Sequence, residues 1–183
     1  MAGPKTNDSW GAIKDAVHNK PGAELVSLLR DLYELSPGNR QFLHARFGSR
    51  SRELDRYRSS IRSALSPDPL SRHPDPSLVT GKRLIREYER ATRDDAGAVD
   101  LMLAFVEAGA SFAADVGYGD DPFFSSLASM LERALDRANV LSPQLQASLE
   151  PRLASLRRTA GELGWGFGDF VTHAVETYLA SRR

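Results

Sequence analysis

The chain has no cysteine among its 183 residues. That excludes disulfide staples, thiolate zinc sites, iron–sulfur ligation and a cysteine nucleophile together, and it fits a reducing cytoplasm. β-Branched residues never cluster and no segment alternates apolar with polar side chains over strand length, so no β-sheet is expected. The first residues, MAGPKTNDSW, hold no apolar stretch of signal-peptide length. The most apolar window, 96–117, is interrupted by Asp100, Glu107 and Asp115, so neither export nor a membrane span is expected. Net charge is also lacking, with 24 basic against 24 acidic residues, which removes any whole-molecule argument for nucleic acid or membrane. Lysine is scarce, 4 against 20 arginines; this suits phosphate or carboxylate recognition and equally suits a GC-rich genome.

What is present is helical periodicity. A hydrophobic content of 41% in 183 residues supplies one sizeable core. Residues 1–20 read as a tail or short docking helix carrying Trp10, Ile13 and Val17. From Pro21, the leucines Leu25, Leu28, Leu29, Leu32 and Leu35 recur at three-and-four spacing, which predicts a helix burying one face. A short helix with Phe42, Leu43 and Phe47 inward is expected next, then a longer one with Leu54, Tyr57, Ile61, Ala64 and Leu65. Four prolines between residues 66 and 77 read as an extended connector, the one place where the domain at 21–183 would subdivide.

After it, Asp75-Pro76 looks like a cap and first-turn proline for a helix reaching about Arg93. A helix over about 96–115 is apolar on two sides and is predicted to be central. Asp120 or Asp121 before Pro122, and Ser142 before Pro143, each predict a helix start, with a kink at Pro151. A glycine-rich turn, 161–168, leads into the last helix. The expectation is an all-α, single-domain bundle or small array of eight to nine helices. No repeat of fixed period makes it a solenoid.

Three stretches resemble a bacterial family known as a domain of unknown function: DLMLAFVEAG at Asp100 to Gly109, FAADVGYGDDPFFSSL at Phe112 to Leu127, and WGF at Trp165 to Phe167. With the helix around Lys82 to Arg90 and the LVSLLRDLY stretch, the resemblance covers most of residues 20–180. It implies no activity, cofactor or site residue.

Chemistry-bearing residues fall in three groups. Asp100, Glu107, Ser111 and Asp115 share one narrow sector of the central helix, where a carboxylate groove for a metal or for acid–base work is one reading and a solvated or Arg-paired face the other. Glu107 and Asp115 are roughly 12 Å apart along the axis, so one ion needs ligands from elsewhere. Asp120 and Asp121 complete such a site from a loop or simply cap a helix. Asp169 and His173, one turn apart, are a candidate ligand or proton-transfer pair or a solvated face. Trp165, with Phe123 and Phe124, is a candidate aromatic wall beside the acids. No zinc motif, EF-hand, P-loop or dinucleotide fingerprint is found, so no cofactor is identified.

Residues 40–72 hold eight arginines against three acids, which makes Arg46, Arg50, Arg52, Arg56, Arg58 and Arg62 the candidate polyanion contacts. They share no single helix face. Residues 1–93 carry 17 Lys/Arg against 11 Asp/Glu, and 94–183 carry 7 against 13, so docking of the basic half on the acidic half, or head-to-tail pairing of two copies, explains the same pattern. A binding or scaffold protein that engages a protein partner or itself ranks first. A metal-dependent or acid–base enzyme at Glu107/Asp115 ranks second, and nucleic-acid binding third.

Overall fold

A computed structural model describes residues 9–70 and 74–182. Nine helices and no strand lie among the described residues: α1 (Trp10–His18), α2 (Gly22–Leu35), α3 (Pro37–Phe47), α4 (Arg50–Leu65), α5 (Leu78–Thr92), α6 (Asp95–Val116), α7 (Asp121–Ala138), α8 (Pro143–Ala160) and α9 (Phe167–Ala180). The all-α expectation and the helix number both hold. The chain divides into two compact units between His44 and Ala45, within α3.

Helix starts follow local chemistry. Ser9, Asp120 and Ser142 accept hydrogen bonds from the amides of Ala12, Phe123 and Leu145, each satisfying an orphan donor of the first turn. The fifth helix starts later than Asp75-Pro76 suggests. Ser77 is its cap, accepting from the Thr80 amide. The Ser77 amide also donates to the Ala64 carbonyl at 2.7 Å, bringing the proline-rich connector back to the end of α4. The connector therefore lies inside the second unit, and residues 71–73 of it are outside the described residues. Helix α8 runs through Pro151 without interruption.

In the second unit α6 is the central rod. It packs against α4, α5, α7 and α8, while α9 closes on α7 and α8. Its small residues let neighbours approach closely: a Cβ on Gly109 would stand 2.7 Å from the Leu127 side chain of α7. Fourteen of its residues are buried, Leu101, Leu103, Phe105 and Val106 among them. α6 is long and apolar enough to cross a membrane, yet 78% of its apolar 18-residue stretch is buried within the fold. Tyr57, Ile61, Leu65, Leu84, Ile85, Leu127, Leu131, Leu153, Leu156, Val171 and Val175 complete a single core around it.

The first unit differs from the reading of its leucine stripe. Neither α1 nor α2 buries a residue. Leu28, Leu29 and Leu32 are each more than 40% exposed, and Leu35 is 76% exposed. In α3, Phe42 and Phe47 are exposed too, contrary to their expected inward orientation. Periodicity marks a face fit for burial; whether anything covers that face is a separate matter.

Candidate functional site

On the mostly apolar α6, Asp100, Glu107 and Ser111 share one face, and α4 and α8 flank it. From α4, Arg58 donates to Asp100 Oδ2 through Nε at 3.0 Å and Nη2 at 2.8 Å. From α8, Arg152 donates to Asp100 Oδ1 at 2.6 Å and to the Asp100 carbonyl at 3.3 Å. The same guanidinium forks onto Glu107, Nε to Oε1 and Nη2 to Oε2, both at 2.8 Å. Over this network opens a groove of about 620 Å³, walled further by Arg62, Ser155 and Thr159.

The electrostatics follow from geometry. Burial works against the Arg152 cation, but the hydrogen bonds and charges of Glu107 and Asp100 outweigh it and hold its pKa above the ordinary arginine value. Bidentate arginine–carboxylate pairing is the strong form of the interaction. All four carboxylate oxygens of Asp100 and Glu107 accept from a guanidinium, so both acids are engaged in ion pairs. Among the described residues no group of three His, Asp or Glu side chains is placed to hold a metal ion.

The remaining candidate residues lie elsewhere. Asp115 is exposed near the end of α6 and lines none of the cavities described here. Asp120 is the cap of α7, and Asp121 is that helix's first residue, beside a recess of about 180 Å³ that also touches Trp165. Trp165 is 65% exposed on the turn between α8 and α9. Asp169 and His173 sit on the exposed side of α9, where His173 borders a separate cleft of about 460 Å³ against α7. The acids and the Asp169/His173 pair thus do not converge in one pocket.

The arginine segment is largely spent on internal contacts. Arg46 donates to the Ala91 carbonyl at 3.2 Å. Arg50 lies 3.7 Å from Asp94, and Arg56 pairs with Glu53 at 2.5 Å. Arg58 reaches Asp55 as well as Asp100. Among the described residues only Arg52 and Arg62 of the six candidates have no hydrogen-bond or ion-pair partner. A second cluster, not foreseen, joins Arg133 and Arg137 of α7 to Glu89 of α5, with Arg137 also holding Asp95 at 2.5 Å. Burial opposes the Arg137 charge, yet its pairing with Asp95 and Glu89 still raises its pKa.

Arg152 was the residue that sequence reasoning missed. It follows Pro151 in a mixed polar run, and no spacing on α8 announces that it inserts over an acidic face 45 and 52 residues away. Fold and site together define an α-helical protein whose two groove acids are both paired with arginine, while Arg62 in the same wall has no partner among the described residues. Comparison with protein-family models, with curated proteins and with solved structures finds no match.

Proposed function

We propose that this chain is a binding protein that works through protein–protein contact, and that its N-terminal helices are the contact surface, with a second copy of the chain as occupant. One observation carries this reading: of fifteen exposed large apolar side chains, nine lie between Trp10 and Phe47. Five of them, Val26, Leu28, Leu29, Leu32 and Leu35, are on α2. Concentrated apolar exposure of this kind marks an interaction surface.

Charge supports a second copy. The flanks of α2 neutralise themselves through the Lys20–Glu24 and Arg30–Glu34 pairs at 2.8 and 3.1 Å, and the chain has zero formal charge, so no field opposes two copies meeting. The enzyme reading has less support, because both groove carboxylates are held by arginine. The polyanion reading has less support because four of its six arginines are engaged.

Sedimentation velocity tests the proposal. The full chain is expected as a dimer, and the double variant Leu28→Glu/Leu32→Glu as a monomer with unchanged helical circular dichroism. A wild-type chain that stays monomeric at all accessible concentrations overturns self-association.

A further inference from the structure

The turn between α8 and α9 carries a different arrangement, independent of the N-terminal helices. Trp165 stands between two small recesses. One, of about 280 Å³, is lined by Tyr118, Gly119, Phe124 and Glu162 among others. The other, of about 180 Å³, is lined by Asp121, Phe124, Phe167 and Phe170 among others. Each recess has aromatic walls and one carboxylate, and among the described residues no Lys, Arg or His lines either. Among the described residues neither Glu162 nor Asp121 forms an ion pair, in contrast to the saturated acids of the α4–α6–α8 groove.

We propose that these two aromatic recesses astride Trp165 receive the cationic side chain of a protein partner, an arginine or a lysine. Three features carry the assignment. Aromatic faces with a nearby carboxylate attract guanidinium and ammonium groups through both the ring quadrupole and charge. An anionic ligand meets only like charge here. Size suits the assignment, since recesses of about 280 and 180 Å³ have room for the end of one long side chain.

The walls are already built. The wall residues Tyr118, Phe124 and Phe167 are held in a series of ring contacts that runs through Phe112 and Phe123 behind them, with centroids 5.2–5.4 Å apart, so binding orders little beyond Trp165 itself. The Tyr118 hydroxyl has its pKa raised by burial first and then by the charges of Asp75 and Asp120, which agrees with a negative potential at this end of the bundle.

The test uses the full chain with Trp10→Phe, leaving Trp165 the sole indole. Its emission is followed while N-acetyl-arginine amide, N-acetyl-lysine amide, the uncharged N-acetyl-citrulline amide, or sodium chloride at equal ionic strength is added. A saturable change is expected with arginine or lysine amide and not with citrulline amide or salt. The arginine and lysine arms decide between guanidinium and ammonium. Glu162→Gln combined with Asp121→Asn should raise the midpoint about tenfold, with the helical circular dichroism unchanged. An equal response to citrulline amide or to salt, or no response to either cation, overturns the proposal without touching the N-terminal contact surface.

Discussion

Arg152 and Glu107 meet as a fork on a fork, two parallel N–H···O bonds of 2.8 Å joining α8 to α6. Each side chain is about a quarter exposed, so the pair is neither a solvated surface bridge nor a fully desolvated one. Removing one partner leaves the other charge partly desolvated and unmatched. Glu107→Gln should therefore lower unfolding free energy by about 2 kcal/mol, less than for a fully buried pair. Asp100→Asn strikes Arg58 and Arg152 together and should cost about 3 kcal/mol. Asp115→Asn, on the same helix but exposed, should stay within about 0.5 kcal/mol. Urea unfolding of the three variants checks the order, and an equal loss for all three would contradict it.

The two aspartates at the start of α7 should separate by role. Asp120 accepts from the Phe123 amide at 2.9 Å, so Asp120→Ala is expected to cost about 1 kcal/mol as a lost cap. Asp121 contributes only its charge near the helix terminus, and Asp121→Ala should cost about 0.5 kcal/mol at low salt and less at high salt. Thermal melts at two ionic strengths distinguish them.

At the other end of the turn, a Cβ on Gly168 would lie 2.6 Å from the Ala160 carbonyl oxygen, whereas one on Gly164 meets nothing within 4 Å. Gly168→Ala must push α9 away from the end of α8, and should destabilise by about 2 kcal/mol. Gly164→Ala should be neutral or stabilise by about 0.5 kcal/mol through the unfolded chain. Comparable melting temperatures for the two variants would show that α9 does not sit this close.

Alkaline pH gives a further check. The buried Tyr88 hydroxyl donates to Asp94 at 2.8 Å, and burial, then the Asp94 hydrogen bond and charge, push its pKa well above the ordinary value of 10.0. Above that pH the unfolded chain releases a proton that the folded chain keeps. The unfolded state then binds fewer protons, and stability falls as pH rises. Between about pH 9 and about pH 11 the melting temperature should decline, and Tyr88→Phe should flatten that decline. An identical slope in the variant would remove Tyr88 from the account.

Much of the architecture was legible from local chemistry. The two-sided apolar pattern of 96–115 pointed to a central helix, and Ser142-Pro143 and the pair Asp120 or Asp121 before Pro122 announced helix starts, the cap being Asp120. What failed depended on distance. The leucine stripe of α2 predicted burial, but amphipathic spacing says nothing about whether a neighbour arrives. Asp100 and Glu107 read as a free acidic stripe or an Arg-paired one, and which of these holds was decided by Arg58 and Arg152, far away in sequence. The reason for Gly168 lay in a carbonyl of another helix, which no turn pattern encodes. Ser77 displaced Asp75 as a cap because the connector is tied back to Ala64.

The shared carboxylate of Asp100 also sets an order of assembly. A chain made from its N-terminus presents Arg58, 42 residues ahead of Asp100, when α6 first emerges; Arg152, 52 residues behind it, does not yet exist. During synthesis α4 and α6 can clasp early, while Glu107 waits with its charge unmatched until α8 is complete. Arrival of that helix brings the guanidinium that Glu107 lacks, so a chain stalled before residue 152 carries on α6 an open acid that the finished protein pairs.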